Sequence, residues 1–224
     1  AFRTLKRSIV ADQTLEPTTI AGFNQFFDDG EGTDAWRYGA GLDHRFSESW
    51  FGGLEYSHRD LTTPLLIFEE SATRVEKGDL EERLGRAYLY WLPHKWWSFS
   101  GTFSREEFHR EEGFVGPEGI LDLTTDSVAL GANFFHPSGF RANLVGNYIN
   151  QDGTFGFYPP FVDDGDSFWV VDLALGYRLP RRYGLITFGI KNLFDEEFRY
   201  QDSDVENPQF VSERQVFARI ALSF

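Results

Sequence analysis

The 224-residue chain contains no cysteine and no methionine. Without thiols it can form no disulfide, no thiolate metal site and no cysteine nucleophile, which is compatible with an oxidising envelope. Ala1 is therefore not a translational start, and the first residues lack the basic-then-apolar pattern of a signal peptide, so the chain reads as a mature form or an excised C-terminal domain. It also lacks any run of about 18 apolar residues, which excludes a transmembrane helix. Segments with helical periodicity are nearly absent. Cations are scarce: 21 Lys and Arg stand against 35 Asp and Glu, a net charge of −14, and an acidic surface argues against nucleic acid as a partner. What is abundant is aromatic, with 24 Phe, 9 Tyr and 6 Trp making up 17% of the chain. The mean hydropathy of −0.38 looks soluble. A membrane β-barrel passes that test unnoticed, because only every second residue of its strands meets lipid.

From Trp36 onward, segments of about ten residues alternate apolar with polar or small residues. Trp36, Tyr38, Ala40 and Leu42 oppose Arg37, Gly39, Gly41 and Asp43, and Trp169, Val171, Leu173, Leu175 and Tyr177 oppose Asp172, Ala174, Gly176 and Arg178. A period of two puts the two sets on opposite faces of a sheet. Nine strands read clearly, near 36–45, 50–59, 86–91, 97–104, 127–134, 140–148, 169–178, 186–191 and 216–224. Residues 18–27 make a weaker tenth, since Phe23, Phe26 and Phe27 do not keep to one face. Single-chain barrels favour even counts, so ten strands are expected, with twelve the next choice. Residues 1–17 are then a lead-in or an extra strand, and 18–224 the barrel.

Connections alternate in length. Short turns fall at 47–49, 93–95, 136–139 and 180–184, and long loops at 28–34, 60–82, 105–120, 151–166 and 195–211. Outer-membrane barrels have short periplasmic turns and longer extracellular loops, whereas a Greek-key sandwich has no reason to alternate this way. Trp50, Trp91, Trp96, Trp97, Tyr177 and Tyr183 flank short turns, and Trp36, Tyr148 and Trp169 the long-loop ends, as two interfacial girdles require. The sequence thus predicts a transmembrane antiparallel up-and-down β-barrel of about ten strands in a bacterial outer membrane, meeting membrane lipid and lipopolysaccharide. A membrane tolerates no open edge, so the strand at 18–27 is expected to pair with the strand at 211–224.

The last forty residues carry a further signal. Gly189-Ile190-Lys191-Asn192-Leu193-Phe194-Asp195, followed by a loop and the alternating strand from Arg214 to Phe224, resembles the closing strands of TonB-dependent outer-membrane receptors. In that family the terminal aromatic looks like the signal read by the barrel assembly machinery, a role the resemblance gives to Phe224. Asp172 to Leu179 resembles the preceding strand. Those receptors have 22 strands and an N-terminal plug, which 224 residues do not hold, so no binding residue carries over. The opening from Leu15 to Asp29 is similar to barrels that follow helical repeats in larger envelope proteins, implying a periplasmic domain N-terminal to this chain.

Candidate chemistry falls in three places. The polar strand faces offer Arg37, Arg45, Arg59, Arg86, Arg141, Arg178, Lys191 and Arg219 against Asp43, Glu55 and Asp172, eight cations to three carboxylates in an acidic chain. They would line the lumen, as a constriction favouring anions or as paired structural charges. Asp163, Asp164 and Asp166 form the densest acidic group and could bind calcium or magnesium through oxygen ligands, though the spacing is not that of an EF-hand; no other cofactor is indicated. His58 and His109 approach the long-loop rim beside acidic residues and are the only candidates for a general base. A transport pore, an export pore or a membrane anchor is the leading expectation. A fragment of a TonB-dependent receptor and a rim protease or lipid hydrolase are the alternatives.

Overall fold

The computed structural model describes residues 1–5, 18–20, 23–25, 32–69, 72–111, 119–156, 159–201 and 213–222. Apart from one turn of 3₁₀-helix at Pro180–Arg182, the regular structure among these residues is all strand: β1 (Phe2–Leu5), β2 (Thr18–Ile20), β3 (Phe23–Gln25), β4 (Asp34–Arg45), β5 (Trp50–Glu69), β6 (Ala72–His94), β7 (Trp97–Arg110), β8 (Ile120–Phe135), β9 (Phe140–Phe155), β10 (Val162–Arg178), β11 (Gly184–Lys191) and β12 (Gln215–Leu222). Among the described residues no helix is long and apolar enough to cross a membrane.

The nine strands β4 to β12 form one antiparallel up-and-down sheet in chain order, and β1 adds a tenth strand on the β4 edge. Each pairs with its sequence neighbour, because an antiparallel hairpin closes the shortest loop and loses the least chain entropy. The short turns stand where alternation stops. In one of them Gly139 adopts φ +98, and a Cβ there would lie 2.6 Å from the Arg178 carbonyl oxygen of the neighbouring strand, so the tight turn demands glycine.

At the other end the structure corrects the loop expectations. The region 60–82 is not a loop: the β5–β6 ladder runs unbroken to the pair Glu69–Ala72. Likewise β7 continues to Arg110, β9 to Phe155, and β10 begins at Val162. A ladder needs only backbone N–H and C=O groups. Hydropathy loses its period of two wherever consecutive residues are alike, apolar at Leu65 to Phe68 of β5 and charged at Glu81-Glu82-Arg83 of β6, while the strands continue. At ~3.3 Å per residue, the 20 residues of β5 reach about 65 Å. The tips of the loops at 28–31, 112–118 and 202–211, with Asp28, Asp29, Glu31, Asp202, Asp204 and Glu206, lie outside the described residues.

The strand expected at 18–27 is also corrected. Thr18–Ile20 and Phe23–Gln25 pair with each other as a separate two-stranded sheet, the most local partner available. The tenth strand is Phe2–Leu5, fixed on β4 by four ladder pairs, by the ion pair of Arg3 with Asp34 and by the Arg3 guanidinium 5.7 Å from the Trp36 ring. Among the described residues β12 pairs only with β11, so the sheet has two edges. Phe224 lies outside the described residues.

Candidate functional site: the two faces of the sheet

Register carries each side chain to a definite face. The row Trp36–Asp60–Glu81–His109–Asp122 starts one face at the long-loop end, and Leu42–Leu54–Ala87–Phe103–Val128–Tyr148–Trp169 runs across its middle. Leu144, Leu173 and Ile190 share another row of that face, as do Phe188 and Ala218. In all nine segments the alternating apolar set falls on this one face, with Phe51, Val145, Val170 and Phe217 on the other.

Burial is the reverse of a soluble sheet. On the apolar face Ile220 is 66% exposed, Leu54 62%, Leu130 52% and Trp169 50%, while on the polar face Phe168 is 3% and Leu123 5% exposed. None of Leu173, Leu175, Phe188, Ile190, Ile220 and Leu222 is buried. With ~150–250 Å² per aromatic ring, half-exposed side chains across nine strands leave an apolar area on the order of 1,000 Å² or more. The largest patches on soluble monomers reach ~300–600 Å².

Aromatics edge this face twice. Near the short turns Trp50 stacks on Trp91 at 5.1 Å, Trp91 on Phe99 at 5.3 Å, Trp97 meets Phe134 at 4.7 Å, and Phe134 meets Phe140 at 6.4 Å. At the far side Trp36 stacks on Tyr38, and Tyr148 meets Trp169 at 5.1 Å. Phe140 to Tyr148 and Trp169 to Tyr177 each span eight residues of strand. At ~3.3 Å per residue that is about 26 Å along the strand. Beyond the second belt the same face turns charged. Asp60 and Glu81 hold His58 at 2.8 and 3.4 Å, Arg83 bridges Glu81 and Glu107, and Arg105 joins Glu107 at 2.8 Å to Asp126 at 3.1 Å.

The candidate histidines sit in this collar. Asp60 and Glu81 face the two ring nitrogens of His58, and His109 pairs with Asp122 through Nδ1. The acidic trio does not converge. Asp163 pairs with Thr154 on the apolar side of the ladder, while Asp164 and Asp166 point to the polar side. There Arg199 chelates Asp164 through two guanidinium bonds of 2.6 and 3.1 Å, and its backbone N–H donates to Asp166 at 2.7 Å. The Arg199 bond, aided by the Gly165 N–H, holds the Asp164 carboxyl below the ordinary carboxylate range. A depressed carboxylate stabilises above its unfolded pKa and loses that contribution as pH falls through the folded value. Pepsin cleavage at Phe198 should therefore rise as pH drops below about 4, whereas Asp164→Asn should be cleaved throughout that range; a flat profile in the parent chain would refute the clasp.

All eleven charges expected on the polar face share it: Arg37, Asp43, Arg45, Glu55, Arg59, Arg86, Arg141, Asp172, Arg178, Lys191 and Arg219. They divide into two groups. On β4 to β6, Arg86 pairs with Glu55, Arg59 with Glu82 at 2.7 Å, the Tyr88 hydroxyl donates to Asp43, and Arg37 donates to the Ser57 hydroxyl at 2.8 Å. Arg45 donates to the Ser47 carbonyl in the adjacent turn. On β9 to β12 the one remaining strand carboxylate, Asp172, accepts the Asn192 backbone N–H at 2.9 Å. Among the described residues no carboxylate meets Arg141, Arg178, Lys191 or Arg219.

Residues 192–201 fold across the polar face, an arrangement that no hydropathy period signals. The Asn192 side chain donates to the Glu196 carbonyl and accepts its N–H, both at 2.9 Å, with φ +48. Phe198 stacks on Phe168 at 4.1 Å, and Gln201 exchanges two 2.9 Å bonds with Gln151, whose amide also reaches Thr125. Gln151 and Asn192 are each 2% exposed. Asparagine closing a strand before an irregular stretch is the usable signal, since it tolerates positive φ and caps its own turn. The polar face is thus filled at the long-loop end and more open at the short-turn end, where Arg178 and Arg219 are exposed.

Compared with family models, characterised proteins and solved structures, the chain matches none.

Proposed function

We propose that the chain is an integral β-barrel of a bacterial outer membrane, serving as a membrane anchor whose interior is filled at the long-loop end. The observation that carries this reading is the inverted burial: large apolar side chains such as Leu54, Leu130, Trp169 and Ile220 stand half-exposed or more on one face, while the buried side chains Leu61, Leu123, Phe168, Arg59 and Gln151 lie on the other. A sheet whose apolar face meets hydrocarbon has that distribution. At a strand tilt of about 40°, the 26 Å between belts gives an apolar band about 20 Å tall, near the ~25 Å of such barrels. The charged collar then lies among headgroups and lipopolysaccharide.

Strand polarity names the closing strand. Both β4 and β12 run from the long-loop end to the short-turn end, so an antiparallel closure takes one strand between them. β1 already lies on β4 with the opposite direction. Closure through the position of β1 would restore an even count of ten; the four residues of β1 cover Asp34–Arg37 of β4, so the rest of that edge, Tyr38–Arg45, needs further chain in the same place.

The test is folding into vesicles. Heat-modifiable mobility and quenching of tryptophan by lipids brominated close to the headgroup are the expected results, since Trp50, Trp91, Trp97 and Trp169 lie in the belts. A monodisperse, folded chain in detergent-free buffer would overturn the reading. A transport pore is the second reading, favoured by the cations without carboxylates on β9 to β12. The two open edges favour instead a piece of a larger receptor barrel, which would migrate as an assembly rather than a folded monomer.

A further inference from the structure

The arginines near the short turns are arranged more closely than their spacing in the chain suggests. Arg141 on β9 lies opposite Gly176 on β10, Gly176 opposite Thr187 on β11, and Thr187 opposite Arg219 on β12. One row of the polar face thus carries Arg141 and Arg219 at its ends, about 15 Å apart at ~4.8 Å per strand. Arg178 stands one pleat further along β10, between them. The two inner positions of the row are small. A Cβ on Gly176 would lie 3.0 Å from Cγ and 3.3 Å from Cδ of Arg141, so the Arg141 stem lies over the glycine and leans across β10 toward Arg219.

Like charges brought together raise each other's free energy, and a fold ordinarily answers with a carboxylate. Here none is available. On the polar face of β8 to β12 the described carboxylates are Asp164 and Asp166, held by Arg199 at the far end, and Asp172, held by the Asn192 N–H. Exposure at Arg178 and Arg219 leaves the approach open.

We infer that Arg141, Arg178 and Arg219 form a binding site for a multiply charged oxyanion of the phosphate class. Three planar guanidinium forks offer more donors than a single carboxylate can accept, whereas a phosphate group presents several oxygens to them. Thr187 adds a hydroxyl in the same row. This rests on the barrel reading only in making the site the interior of the short-turn mouth. The bound phosphate belongs either to a soluble solute or to a lipid headgroup.

The experiment uses the full chain in phosphate-free maltoside micelles, titrated with inorganic phosphate at low chloride by calorimetry or ³¹P line width. Saturable binding is expected. Arg141→Ala and Arg219→Ala should each weaken it by about tenfold or more, the loss of a charge-assisted contact. Gly176→Ala changes no charge but displaces the Arg141 stem, and should weaken binding in the same direction. Arg83→Ala, on the opposite face, should leave it unchanged. Phosphatidic acid added to the micelles assigns the source: competition means a headgroup, its absence a soluble solute. Absent saturable binding, or equal binding by the parent and by Arg141→Ala and Arg219→Ala, overturns the site, and parent-like binding by Gly176→Ala overturns its geometry. Heat-modifiable mobility in the same micelles separates the two ideas. A folded barrel without phosphate binding refutes the site alone, and a detergent-free soluble chain that binds phosphate refutes the barrel alone.

Discussion

Leu173→Arg should destabilise the folded chain in lipid by roughly 2–4 kcal/mol, the cost of a guanidinium near the middle of a barrel's apolar band. Leu173 lies four residues from Trp169 and four from Tyr177, midway between the aromatic belts, with Leu144 and Ile190 beside it in its row. An arginine there has no short path to either interface. Urea titration of the chain folded into phosphatidylcholine vesicles measures the change. Leu222→Arg, at the short-turn limit of β12, should cost about 0–1 kcal/mol, because the penalty falls toward the interface. Equal effects at the two positions would refute the lipid-facing assignment. A gain in solubility without detergent for Leu173→Arg would point to an aqueous surface or a protein partner.

Asn192→Ala should cost about 2–3 kcal/mol and release residues 193–201 from the polar face. The side chain makes two 2.9 Å bonds to Glu196, is 2% exposed and sits at φ +48, where alanine is strained. Two lost hydrogen bonds at ~1 kcal/mol each, plus the backbone strain, give that figure. Limited proteolysis reads the release: cleavage after Phe198 should accelerate while the β5–β6 ladder stays protected. Asn192→Gly, which keeps the permissive backbone and loses the bonds, should fall between. A protease-resistant Asn192→Ala would mean that the Phe168–Phe198 stack and the Gln151–Gln201 pair suffice without it.

How much was legible in the residues depends on the range of the physics involved. The period of two is local, since adjacent side chains on an extended strand point to opposite faces whatever the partner strand does. That is why all eleven polar-face charges, from Arg37 to Arg219, came out on one face, and why Leu173 and Ile220 came out on the other. The short turns are local too, marked by His136-Pro137-Ser138-Gly139 and by Pro180. The extensions beyond Asp60 and Arg105 escaped the reading because the two faces carry no hydropathy contrast there, apolar in succession at Leu65 to Phe68 and polar in succession at Arg105 to Glu107, though the ladder itself continues. β1 was legible only as an optional extra strand within residues 1–17, because four residues show too little periodicity; its place depends on Asp34, 31 positions from Arg3.

By itself, then, the sequence determined an all-β chain, antiparallel in chain order, with one apolar face, one cationic polar face and aromatics at both limits of the apolar stretch. Tertiary structure decided which charges meet. Glu55 answers Arg86 and Tyr88 answers Asp43 because the β5–β6 and β4–β5 registers bring them together, and register is a sum over whole strands rather than a property of any residue. It also decided that Arg199 occupies Asp164 and Asp166, dividing the acidic trio whose third member points to the other face. And it left Arg141, Arg178 and Arg219 without carboxylates, since the strands that could have brought one place glycine, threonine and alanine there instead.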